Sequence, residues 1–541
     1  MDATLKGNES VTNKIRLGTK AHIFFIILFL FSLLVRLDEY SNYREFNSDK
    51  ARQLQGAYNL LHGKGVSFVS YDLNNFTAQV QAIIDWPPAY SYLTAGISWL
   101  TKTDLYTTSI IVDVVATIAL WAVLFWATNL LEFSVLQKSL LFLFIGISKV
   151  PLNSIYSADL IGIGLFLFSS CLTINLIKSG LKASLPFYIL QAFCIFFLVF
   201  LKYSLLPFAV CNGLALVTFS FFHKNKSWFK TGLILIGLAI ISTIFLFWHN
   251  QLISGQNMGE AHKFNENVFH PESLKMFSPF VAASLIFLDP FYLRFDSFAI
   301  TFLSRALTIL FILSFVFYFF RRIRTRKADY LDHLLLISLA GIIGFLAFLS
   351  VTHKIDKTGT ILWTYVKEFR YYGPVIFLIF LFLFKNFKFS KPKLSVGLMA
   401  SALVGICVVF AVGLKAYYLA INNSANSFIN NNRSVLEVGK FLKQQPSNDF
   451  YFVPFTEDLA LDARIGSMAA FNGHKIAMTY YKYFPPASYN VLFNYNQTIT
   501  PGKEVIVFID KNTKILERIN KNNNLRVETD AIGGQYVFIK N

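Results

Sequence analysis

Apolar runs close to the length that crosses a bilayer recur along most of this 541-residue chain, and they confine it to folds that have lipid for a solvent. A helix rises about 1.5 Å per residue, so about 20 apolar residues are needed to cross the hydrocarbon core. By that measure spans are expected near 21–37, 107–131, 138–152, 156–177, 184–201, 204–222, 229–248, 297–320, 331–351, 371–384 and 394–420, which is eleven. Composition agrees. The chain is 55% hydrophobic with 59 Phe, and only 15% charged, where soluble proteins average about 25%.

The net charge of +18 falls in short clusters between the apolar runs instead of forming one basic surface, which argues against a nucleic-acid partner. Positive-inside topology accounts for the clusters. With the N-terminus inside, Lys178 and Lys182, residues 224–230, 321–327 and 385–393 all fall on the inner side, and the C-terminus falls outside. Lys6, Lys14, Arg16 and Lys20 precede the first run with no small-residue cleavage signature after it, so this run reads as an uncleaved anchor. Cys171, Cys194, Cys211 and Cys407 lie inside apolar runs and read as small hydrophobes. Two further apolar pieces, Pro87 to Leu100 and Ser278 to Phe291, read as surface or re-entrant helices, because counting either as a span would invert every later loop.

The expected architecture is an α-helical polytopic membrane protein of about eleven transmembrane helices, with a long first extracytoplasmic loop and a small C-terminal α/β soluble domain. Residues 1–424 form the membrane domain, 38–106 its first outer loop, and 425–541 the outer α/β domain that follows an Asn-rich linker. In that last domain the pattern predicts a helix over Ser434 to Gln444, strands over Asp449 to Val453 and Val505 to Ile509, a helix over Thr513 to Asn522 and a strand over Gln535 to Lys540. The composition, rich in Lys, Asn, Ile and Phe, favours a bacterial cytoplasmic membrane.

The first outer loop is far longer than a connector requires, and long ordered loops often carry function. Within it Ala51, Leu54, Ala57, Tyr58 and Leu61 share one helical face, and Gly63 and Gly65 end the helix. Asp49 stands at its start, where a carboxylate caps exposed N–H groups whether or not it has chemistry to do. The neighbouring motifs shift the balance towards chemistry.

An apolar span, then SDKARQLQGAYNLLHGKG, then IDWPPAYSYLTAGISWL, in which Trp86, Pro87, Pro88 and Tyr90 open a second surface helix, resembles the GT-C superfamily of glycosyltransferases. SADLIGIGLFLFS places Asp159 at the outer start of a span; Lys202 with Tyr203, Trp248 with Asn250, and EFRYYGP at Glu368 to Pro374 extend the likeness over most of residues 20–385. Within that superfamily the chain is most similar to the polyprenyl-phosphate-sugar group, which includes aminoarabinose, protein mannosyl and galacturonosyl transferases. The resemblance implies an inverting enzyme that moves a sugar from a polyprenyl-phosphate-linked donor to a lipid, glycan or protein acceptor at the outer membrane face.

Such a reaction needs a base for the acceptor proton and positive charge for the leaving phosphate. Asp49 is the candidate base. Arg370 is the first candidate for the phosphate, since a guanidinium pairs with phosphate oxygens through two hydrogen bonds; Lys202 and Tyr371 follow. Lys and Arg at span ends also snorkel to the interface for purely structural reasons, and tyrosines gather in the aromatic belt. Asp159 would orient the acceptor, hold a helix, or share a divalent metal with Asp49. Trp86, Tyr90 and Asn250 complete the candidates. The histidines match no compact zinc spacing. The rival readings are a transporter or flippase, against which the long loop and the lack of inverted repeats count, and a glycan ligase or polymerase.

Overall fold

The computed structural model describes residues 21–37, 48–71, 77–147, 157–257, 313, 316–325, 327–352, 372–386, 435–445, 450–455, 459–471, 473–476, 504–510, 526–529 and 534–540. It divides into two compact units. The first comprises Met1–Glu39, Asp113–Trp248 and Glu260–Ile421; the second comprises Tyr40–Val112, His249–Gly259 and Asn422–Asn541.

Helices follow the apolar runs closely. They are α1 (Ala21–Leu37), α2 (Ser48–Leu61), α3 (Ala89–Thr101), α4 (Leu105–Leu130), α5 (Val135–Ile147), α6 (Ser157–Ser179), α7 (Leu185–Leu201), α8 (Leu206–Phe222), α9 (Lys226–Ser254), α10 (316–324), α11 (Tyr330–Thr352) and α12 (Gly373–Asn386). Among the described residues four stretches, Leu105–Leu130, Ser157–Ser179, Tyr203–Phe222 and Lys226–Ser254, are long and apolar enough to cross a membrane on their own, and shorter apolar helices accompany them. The protein is an integral membrane protein. The span expected at 394–420, most of the one expected at 297–320 and the surface piece Ser278 to Phe291 lie outside the described residues.

Small and polar residues set the packing of the first unit. Gly146 in α5 leaves room for α1, since a Cβ there would stand 2.8 Å from the Ser32 Cα, and Trp121 Nε1 donates to Ser32 Oγ at 2.9 Å. Arg36 is 3% exposed near the C-terminal end of α1 and donates to the Ile145 carbonyl at 2.9 Å, placing a cation where the α5 dipole is negative. A buried amide–hydroxyl network joins α6, α7, α8 and α11. In it Gln191 Nε2 donates to the Ser169 carbonyl at 2.9 Å, Asn212 Nδ2 donates to Ser169 Oγ at 3.0 Å, and the Tyr330 hydroxyl donates to Asn212 Oδ1 at 2.8 Å. Lipid supplies no hydrophobic drive between helices, so such bonds and close packing hold them together.

Among the described residues a cluster of basic side chains lies at one end of this unit. Lys178 pairs with Glu132, Lys385 with Asp329, and Arg322 reaches Asp332 at 3.2 Å, while Gln137 Nε2 donates to the Phe384 carbonyl at 2.8 Å.

The second unit combines the loop helices with the C-terminal segment. Helix α2 ends in a Schellman turn: Gly63 has φ +74°, its N–H donates to the Leu60 carbonyl at 3.1 Å, and Lys64 N–H donates to the Asn59 carbonyl at 2.8 Å. An antiparallel hairpin follows, with β1 (Ser67–Tyr71) buried and β2 (Ala78–Ala82) mostly exposed. The Pro pair then opens α3, which buries Tyr90, Ser91, Thr94, Ala95 and Ser98 and exposes Tyr92, Trp99 and Leu100. That split fits the surface helix expected there.

The C-terminal segment adds α13 (435–443), β3 (Phe450–Phe455), α14 (Leu459–Phe471), β4 (Lys475–Ile476), β5 (Glu504–Asp510), β6 (Arg526–Thr529) and β7 (Gly534–Lys540). The sheet order is β4-β3-β5-β7-β6, with β3 parallel to β4 and β5, and β7 antiparallel to β5 and β6. The helix expected over Thr513 to Asn522 lies outside the described residues.

His474, 5% exposed, lies stacked on Phe450 with ring centroids 4.5 Å apart. Burial pushes its pKa below the ordinary value, against a smaller opposite pull from the Leu442 backbone. A folded pKa below the unfolded one means that the unfolded chain binds the proton more readily. The stability of this unit is therefore full above about pH 6.5 and falls as pH drops below that towards the folded value. Thermal unfolding followed from pH 8 to pH 5 should show this loss, and His474→Phe should flatten it.

Candidate active site

Asp159 and Lys202 form a buried ion pair. Asp159 sits in the first turn of α6 and Lys202 just past the end of α7, where the backbone is extended before the turn Tyr203–Leu205. Lys202 Nζ lies 2.7 Å from Asp159 Oδ2, with side chains only 10% and 4% exposed. Close packing permits the contact: a Cβ on Gly162 would fall 2.2 Å from Leu205 Cδ1. A buried carboxylate needs such a partner.

This pair sits at the end of α6 opposite the basic cluster, since Asp159 and Lys178 are separated by about 28 Å of helix at about 1.5 Å per residue. A carboxylate that the sequence reading missed secures it. Asp113, 1% exposed within α4, accepts the Ser157 backbone N–H at 2.9 Å and so caps α6 two residues before Asp159. Asp159 Oδ1, Ser157 Oγ and Ser204 Oγ are among the buried oxygens that have no hydrogen bond to a described residue.

In the second unit Asp49 occupies the first turn of α2 and is half-buried, whereas Ala51, Leu54 and Ala57 further along the helix have no exposure. The adjoining Lys50 is 2% exposed, and the Arg52 guanidinium stacks 5.0 Å from the Trp86 ring. This cation–π contact ties the Trp86-Pro87-Pro88 turn to the helix that carries Asp49. Asp85, 8% exposed, lies beside it. Arg52 and Asp85 were not singled out by sequence, although an Arg three residues after Asp49 and an Asp before the Trp-Pro-Pro segment were both readable.

Tyr90 is completely buried on the inner face of α3, a packing position. Asn250, 1% exposed, donates from Nδ2 to the Asn257 carbonyl at 2.9 Å and closes the turn after α9. Arg370 and Tyr371 lie outside the described residues. Among the described residues no group of three His, Cys, Asp or Glu side chains is placed to hold a metal ion.

The structure matches that of ArnT from Cupriavidus metallidurans bound to undecaprenyl phosphate with a TM-score of 0.55 and 10% identity, over 96% of this chain and 98% of that one. The chain therefore shares the overall fold of that structure along nearly its whole length. The archaeal oligosaccharyltransferase AglB from Archaeoglobus fulgidus, in complex with an inhibitory peptide and a dolichol-phosphate, aligns with a TM-score of 0.48 and 11% identity, over 96% of this chain and 74% of that one. No protein-family model and no curated protein matches the sequence itself.

Proposed function

We propose that the protein is an inverting glycosyltransferase that moves a sugar from a polyprenyl-phosphate donor to a lipid, glycan or protein acceptor at the extracytoplasmic membrane face. The observation that carries this reading is Asp49, a half-buried carboxylate in the first turn of a helix whose next residues are buried, in a chain that matches the fold of ArnT over 96% of its length. In the reaction an acceptor hydroxyl or amine attacks the anomeric carbon and passes its proton to Asp49. The bond from that carbon to the phosphate oxygen breaks, and its electron pair leaves with the polyprenyl phosphate. Arg370 and Tyr371 stabilise the charge that develops there.

Lys202 takes a different part in this reading. Its charge is balanced by Asp159, so the pair offers hydrogen bonds with little net charge. With Ser157 and Ser204 it orients sugar or acceptor hydroxyls instead of neutralising phosphate. The N-terminus and basic loops lie on the inner side, and residues 425–541 lie outside.

Binding can be tested before any acceptor is known. A ligand that binds only the folded state at about 100 times its Kd stabilises by about 2.7 kcal/mol. Polyprenyl phosphate should raise the unfolding temperature of the purified protein, and the corresponding polyprenol should not. Equal shifts with both lipids would remove the phosphate from the account.

A further inference from the structure

Helix α2 buries more than an amphipathic surface helix needs to. Besides its three fully buried apolar residues, its Gln53, Gln55 and Asn59 are 3%, 2% and 4% exposed, so it is covered on several sides. One cover is α3, where Ser91 Oγ donates to the Gln53 carbonyl at 2.7 Å and Gly56 lets the helices close up. A second is β1, where Asn59 Nδ2 donates to the Ser67 carbonyl at 2.7 Å.

The third cover comes from the far end of the chain. Ser467 of α14, 1% exposed, shares a hydrogen bond of 3.4 Å with Gln55 Oε1 across 412 residues of sequence. One turn further along each helix Phe471 meets Tyr58 with ring centroids 6.2 Å apart, so the two helices run parallel. Phe471 also packs on the cluster of Ala57, Ala95 and Leu105, where α2, α3 and the start of α4 converge. On its other side α14 packs against β3 and β4, the parallel strands it connects. It is thus clamped between a sheet and the helix that bears Asp49.

We propose that α14 is the positioning element for Asp49: the β3–α14–β4 unit fixes α2 through Ser467 and Phe471, and so sets where the carboxylate stands. The proposal rests on the reading of Asp49 as the base. A base held out of place costs rate at saturating substrate more than it costs binding, and a displacement of about 1 Å is worth about 10²-fold.

The test uses full-length protein in vesicles with a polyprenyl-phosphate sugar as donor, and combines kinetics with backbone hydrogen exchange of residues 50–61. Phe471→Ala should lower kcat about 10²-fold at unchanged donor KM and speed exchange in α2. Phe471→Tyr, which keeps the ring, should stay close to wild type. Should Phe471→Ala not fold, Ser467→Leu, which overfills the buried contact with Gln55, should show the same pairing of lower kcat and faster exchange. Faster exchange in α2 with wild-type kcat would overturn the proposal. Asp49→Asn run alongside separates the two ideas: if it abolishes transfer while the α14 variants keep kcat, only the positioning role fails, and if it keeps activity, the base assignment fails.

Discussion

Asp49→Asn is expected to lower sugar transfer by about 10² to 10⁴-fold, the usual contribution of a general base. The substitution keeps the size and planarity of the side chain but removes its capacity to take a proton. The structural cost is small. Asp49 lies in the first turn of α2, and losing a negative charge there costs about 0.3–1 kcal/mol from the helix dipole. Melting temperature should therefore change little while transfer collapses. A variant with normal transfer would reduce Asp49 to a helix cap.

Lys202→Met is expected to do the opposite to stability. It leaves the Asp159 carboxylate, 4% exposed, without its ammonium partner, and breaking a buried pair in this way costs about 3–5 kcal/mol. Replacing both residues, Lys202→Met with Asp159→Leu, removes the stranded charge and should recover most of the loss. Transfer should remain impaired in the double variant, because the ammonium and carboxylate proposed to orient the substrate are gone, even though Ser157 and Ser204 remain. Recovery of both stability and transfer would make the pair a structural brace only. Thermal unfolding and transfer measured on the same preparations decide between these outcomes.

The sequence was most readable where one helix answered to one pattern. The apolar spacing of Ala51, Leu54 and Ala57 predicted the buried face of α2, and each of them is fully buried. Gly63 and the Pro pair marked where α2 ends and where α3 begins, because glycine takes up the positive φ of a helix-ending turn without strain and proline, with fixed φ and no N–H, suits a helix start. Leu61, placed on the same face, is 39% exposed, since it lies in the last turn where the covering elements run out.

Relations between elements were less legible. A buried Asp at a span start needs a partner, and sequence could state that need for Asp159 but not that Lys202 meets it, because the pairing depends on how α6 and α7 pack. Asp113 was not singled out in the sequence; its role as the cap of α6 depends on α4 lying beside a helix end 44 residues away. The hairpin β1–β2 escaped notice because its strands are five residues each and only one of them is buried. Helix α14 was missed, and its docking on α2, with a bond spanning 412 residues, has no local signature at all.

The most direct test of the central claim is the fate of a doubly labelled donor, with one label on the sugar and one on the lipid, in vesicles that contain the protein and an acceptor-bearing envelope extract. The account predicts that free polyprenyl phosphate appears in equal amount to transferred sugar, and that Asp49→Asn stops both. Movement of both labels together across the membrane, at the same rate in Asp49→Asn, would contradict it and make the protein a carrier.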